Sequence, residues 1–173
     1  MDQLTDRLAA ARRALNGLGP AIVAGEPWPL STAYGAEPES DWGPKEVLAH
    51  VAEMAPYWVG QIDTLLAAPA GPDPPPFGRV ATDTTRIESI GRDRELPAAD
   101  LLARIDAGLA DADARTRELT PDDAARRGIH GRLGEMAVAG IVERFIVGHL
   151  EEHLVQLDEI LARRGAADSA PTS

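Results

Sequence analysis

Four histidines stand in this 173-residue sequence, and two of them, His149 and His153, share the short run HLEEH. A spacing of four on a helix rotates one side chain about 40° from the other and advances it one turn, so both imidazoles can address a single ion. The pair shares its stripe with Val142, Phe145, Ile146, Gln156 and Ile160, which predicts that both rings point into the protein. His50 lies between Val47 and Met54 on the apolar stripe of another helix, and the same reasoning turns it inward. Three imidazoles from two helices would cap one face of a divalent ion and leave other positions open for water or substrate. An ion bound in this way lowers the pKa of a bound water or takes a thiolate.

The alternative for each histidine is a hydrogen-bonded core residue or a partly exposed one at a helix end. Two inward rings on successive turns weigh against it, because a buried imidazole without a strong partner is costly. Whether His50 meets the pair is a matter of packing, which spacing does not determine. Two other metal classes fit poorly. Di-iron bundles use Glu-x-x-His, but Val47, Ile146 and Leu150 stand three residues before His50, His149 and His153. HLEEH also has the form of a zinc-protease motif with Glu152 as base, yet too little chain follows it for a downstream ligand and second lobe.

Neighbours on the helical wheel supply further candidates. Glu46 and Tyr57 lie within about 40° of His50, whereas Glu53 lies about 60° round from it, as Glu152 does from the pair. Glu53 and Glu152 are therefore expected as solvated flank residues. Gln156 interrupts an apolar stripe one turn beyond His153 and is expected to line a pocket with Tyr57 and Glu46. His130, in RRGIHGRLGE, is expected in an exposed loop before the last helix.

Four long helices must position these residues. Leu4, Leu8, Ala11, Leu15 and Leu18 mark the first, from about Asp2 to Leu18, with Gly17, Gly19 and Pro20 predicted to end or kink it. A long loop to Gly43 follows, in which Trp28, Tyr34 and Trp42 are expected to cover one end of a bundle. Pro44 suits the first position of a second helix, and Glu46 favours its positive end. Pro56 should kink that helix, and the run PAGPDPPP from Pro69 to Pro76 should form a stiff connector. A short helix is expected over 83–91, a third long one from Pro97 to about Leu119, and a fourth from about Leu133 to Arg164, stopped by Gly165. The architecture read from this pattern is all-α, a four-helix bundle with long irregular connections in one domain over 1–165, with a disordered tail at 166–173.

Composition narrows the function classes. The formal net charge is -11, from 28 acidic and 17 basic residues, so the overall field repels nucleic acid. There is no cysteine, which removes disulfides and thiolate ligands, and any thiol chemistry must use an external thiol. Charges throughout the first fifteen residues predict a cytoplasmic protein without a secretory signal. No window approaches a membrane span.

The segments DWGPKEVLAHVAEM and RFIVGHLEEHLVQLDEIL resemble the two ends of the DinB/YfiT-like metalloprotein family. In that family a Trp-x-Pro-Lys-Glu helix start leads to a first metal histidine, and His-x-x-x-His on the last helix supplies two more. The matching positions are Trp42, Pro44, Glu46, His50, His149, His153 and Gln156, while Gly43 departs from a frequent serine cap. The resemblance implies a DinB-like four-helix bundle with one divalent ion, Zn, Ni or Fe, on His50, His149 and His153. It also implies a homodimer acting on a small-molecule substrate. Thiol-dependent members of the family point to a metal-dependent S-transferase using mycothiol, bacillithiol or a similar low-molecular-weight thiol. A non-catalytic bundle stabilised by its metal and a metal-dependent hydrolase of a small substrate are the alternatives.

Overall fold

The computed structural model describes residues 1–32, 34–35, 39–69, 71 and 73–168. Helix α1 runs over Asp2–Ala24, α2 over Pro44–Ala67, α3 over Thr84–Asp93 and α4 over Ala98–Glu118. A short α5 spans Pro121–Ala125 and leads into the strands β2 (Arg127–His130) and β3 (Gly134–Ala137), which join β1 (Pro76–Phe77). The last helical column has three parts: α6 (Val138–Ile141), a π-helical stretch over Val142–Gly148, and α7 (His149–Asp168).

The first helix is longer than its glycines and proline suggest. Pro20 is inside α1, which continues through Ala24. The stripe continues with it, since Gly19 and Ile22 are buried beyond Leu15, and this packing outweighs the roughly 3 kcal/mol that proline costs in a helix interior. Pro44 starts α2 as expected, and the apolar stripe Val47, Leu48, Val51, Met54, Trp58, Ile62 and Leu65 is buried. Asp83 caps α3 by accepting from the Thr85 and Arg86 amides, and Thr120 with Asp123 forms a capping box at α5. Helices α1, α2, α4 and α7 pack around a common core that includes Leu8, Ile22, Met54, Leu101, Ile105 and Ile146.

The small sheet corrects the sequence expectation for residues 127–137. Strand β1 pairs in parallel with β2, Phe77 opposite His130, and β2 pairs antiparallel with β3, His130 opposite Gly134. The last helix therefore begins at Val138, not Leu133. Two glycines explain the hairpin. Gly134 adopts φ 74, and a Cβ on Gly128 would lie 2.6 Å from Leu65 and 2.7 Å from Phe77, so only glycine lets β2 press on α2. At the other end α7 passes Gly165 and reaches Asp168, shortening the expected tail, of which 169–173 lie outside the described residues.

Parts of two expected connectors, residues 33 and 36–38 of the long loop and 70 and 72 of the proline run, also lie outside the described residues. The three aromatics of the long loop gather at one bundle end, where α1 and α7 end and α2 begins. Trp28 donates Nε1–H to the Ile22 carbonyl at 2.8 Å, the Tyr34 ring lies 3.7 Å from the Arg94 guanidinium, and Trp42 is buried beside His50.

Candidate metal centre

Three imidazole nitrogens converge where α2 meets α7. His50 Nε2 lies 2.9 Å from His149 Nε2, which lies 3.2 Å from His153 Nε2. Two donors each about 2.1 Å from one ion are separated by about 3.0 to 3.4 Å, depending on the bond angle. The His50 and His153 side chains are each 4% exposed, while His149 is 26% exposed and forms the open side.

Each ring is oriented by a residue three positions further along its own helix. His50 Nδ1–H donates to Glu53 Oε1 at 3.0 Å, and His153 Nδ1–H donates to Gln156 Oε1 at 3.0 Å. His149 Nδ1 faces Glu152 Oε2 at 3.4 Å. Placing the protons of His50 and His153 on Nδ1 leaves their Nε2 lone pairs directed at His149. A single Nε2–H on His149 could satisfy one neighbour but not both. A divalent cation satisfies all three.

Electrostatics act in the same direction. Burial holds His50 well below its ordinary pKa, helped by His153, Arg86, His149 and Arg79. Burial and then His149 lower His153 to about 3, against the opposing pull of the Gln156 hydrogen bond. Both rings are thus kept neutral, the form that binds a metal.

Glu53 and Glu152 were expected to be solvated, and for Glu53 the structure shows otherwise. Its second carboxylate oxygen pairs with Arg79, whose guanidinium lies 3.7 Å from the Tyr57 ring centre. Burial pushes the Glu53 carboxyl up, with Arg79 opposing it. Glu152 remains 78% exposed at its side chain. Tyr57 thus meets the site through Arg79 and Glu53. Glu46 turns away from the histidines, accepting from the Ser31 amide at 2.9 Å and from Arg94 at 3.1 Å, and anchors the loop before α2. Gln156 lies beside the cluster, donating to the Glu39 carbonyl at 2.7 Å while it accepts from His153.

His130 is buried, contrary to the exposed loop expected from its sequence. Its Nδ1 accepts the Arg132 amide at 3.2 Å and its Nε2 approaches the Arg79 carbonyl at 3.2 Å, so the ring bridges the hairpin to the segment that carries Arg79. The residue missed by sequence reasoning is Glu39. Its Oε2 lies 3.8 Å from His149 Nε2 and 3.7 Å from His153 Nε2, while its Oε1 pairs with Arg86. Glu39, His50, His149 and His153 are the one group among the described residues whose donor atoms could hold a metal ion. An isolated glutamate in a proline-rich loop carries no spacing signal that would have identified it.

The open side of His149 faces a cleft of about 910 Å³ lined by Arg79, His130, Arg132, Arg144 and Phe145 among others. The π-helical turn immediately before His149 places Phe145 flat on Trp58, at 4.0 Å between ring centres, and Arg144 at the cleft. Such turns often occur at functional sites.

The family model of the DinB superfamily matches residues 1–157. The chain belongs to the DinB superfamily. The crystal structure of the mycothiol-dependent maleylpyruvate isomerase is a DinB-like neighbour, with a TM-score of 0.63 at 16% identity over 89% of this chain and 60% of that one. The chain therefore spans less than two thirds of that enzyme's length, and at this identity the likeness shows the fold alone. No curated protein matches the sequence significantly. No helix among the described residues is long and apolar enough to cross a membrane.

Proposed function

We propose that this DinB-superfamily protein binds one divalent ion, Zn, Ni or Fe, through His50, His149 and His153, and uses it to transfer a low-molecular-weight thiol. The convergence of three Nε2 atoms, two with their ring protons committed to Glu53 and Gln156, carries the metal reading. An ion there would lower the pKa of a thiol such as mycothiol or bacillithiol at neutral pH. The thiol half of the reading is supported by the fold shared with a mycothiol-dependent enzyme and by the cleft beside His149.

The chain's own residues have separable roles. Glu53 and Gln156 hold two rings in the binding tautomer, Arg79 holds Glu53, and Trp58 with Phe145 forms an apolar wall beside the cleft. Arg132 and Arg144 line the cleft without a carboxylate partner among the described residues, which favours an anionic small-molecule substrate in a chain of net charge -11. We place the protein in the cytoplasm as a homodimer, as the family resemblance implies.

The test is transfer of mycothiol, bacillithiol or glutathione to a panel of electrophiles by the metal-loaded protein. A rate above buffer that chelation abolishes is expected. His153→Ala should cost nearly as much rate as removing the metal. No rate with any of the three thiols, together with an ion that has no exchangeable ligand, would replace this reading with a metal that only cross-links α2 to α7.

A further inference from the structure

We infer that Glu39 supplies a fourth, displaceable carboxylate ligand at this centre; the inference rests on the metal reading above. The separations of Oε2 from His149 Nε2 and His153 Nε2, 3.8 and 3.7 Å, are too long for hydrogen bonds. They are shorter than the roughly 4.2 Å that two ligands can span across one ion. Without a cation the carboxylate oxygen faces the Nε2 lone pair that the Gln156 hydrogen bond leaves on His153, which is an unfavourable arrangement. A cation reverses its sign.

The attachment of Glu39 is built for this position. Its backbone carbonyl accepts from Gln156, the same side chain that orients His153, so the loop and the ring share one anchor. Its other carboxylate oxygen pairs with the buried Arg86, which donates also to the Ala81 carbonyl at 2.9 Å and lies against the Trp42 ring. Arg86 therefore gives the carboxylate a resting partner when it leaves the ion. Glu39 also borders both the large cleft and a second hollow of about 530 Å³, and His149 lines both. A ligand on the single 3-10 turn Glu39–Asp41, between two openings and with a second partner in place, can yield its position to an incoming anion. A ligand within a long helix, such as His50, cannot. The added negative charge also favours a divalent ion beside two arginines, Arg79 and Arg86, more than three neutral rings would alone.

The experiment is Co(II) titration of the metal-free protein, read by visible absorption, with azide as the probe anion. Glu39→Gln should weaken Co(II) binding by at least about tenfold and change the absorption spectrum. It should also bind azide more tightly than the parent, because no carboxylate competes. Arg86→Gln separates ligation from a purely structural ion pair. If Glu39 is a ligand, Arg86→Gln keeps the parent spectrum; if Glu39 serves only Arg86, both variants show the same change, and the inference is overturned. An unchanged affinity and spectrum in Glu39→Gln, with His149→Ala unable to bind Co(II), overturns it while leaving the three-histidine centre intact. Retention of Co(II) by His149→Ala overturns both.

Discussion

His50 and Glu53 form the hydrogen bond that sets the tautomer at the centre, Nδ1–H to Oε1 at 3.0 Å, and Glu53 is itself held by Arg79. Removing Glu53 frees the His50 proton to move to Nε2, where it would block a ligand atom. Glu53→Ala, and more weakly Arg79→Ala, should lower divalent-metal affinity by about 10- to 100-fold without altering the ligands themselves. Competition against a chelator of known affinity reads this directly, and parent-like affinity in Glu53→Ala would remove Glu53 from the centre.

Metal content is the next measurement. About one divalent ion per chain is expected after loading, with His50→Ala, His149→Ala and His153→Ala each losing it. Full retention in both His50→Ala and His149→Ala by elemental analysis would exclude the three-histidine centre.

The metal-free protein should lose stability as the pH falls. His50 and His153 are held below the ordinary imidazole value of 6.5, His153 at about 3, whereas in the unfolded chain they titrate near 6.5. Between these values the unfolded state binds more protons, so the stability due to the neutral rings is full above about pH 6.5 and declines as pH falls toward about 3. Urea midpoints of the metal-free protein at pH 7.5 and 5 should show the decline, and His153→Gln should reduce it. Equal midpoints for the parent at both pH values would contradict the buried neutral state.

His130→Ala should destabilise the fold rather than leave it unchanged. The ring is buried, hydrogen-bonded on one nitrogen, close to the Arg79 carbonyl on the other, and stacked near Phe145. Its loss leaves buried groups without partners, for about 1 to 3 kcal/mol by chemical denaturation. A destabilised variant that still binds metal would identify His130 as a support of the hairpin.

A dimer should appear as twice the chain mass by light scattering at micromolar concentration. A monomer mass across a dilution series would reject the dimer.

Much of this arrangement is written in local patterns. The i, i+4 spacing of His149 and His153 and the apolar neighbours of His50 turned all three rings inward, because helical periodicity alone decides which face a residue occupies. Proline at the start of α2 and the unbroken stripes likewise marked the long helices. The orienting residues were also present as a pattern, since His50/Glu53, His149/Glu152 and His153/Gln156 all repeat an i, i+3 spacing. Wheel angle made Glu53 look solvated, because its burial comes from Arg79 on a separate segment. Tertiary structure decided what depends on distant chain. It placed Glu39 beside the rings and committed Glu46 to Ser31 and Arg94, and it buried His130 in a hairpin. The hairpin itself was concealed because its strands are four residues long, too short for an alternating pattern to stand out, and depend on the close approach of Gly128 to Leu65 and Phe77. A helix carries its hydrogen bonds within one segment, whereas a strand and a ligand loop are defined by partners that only folding brings near.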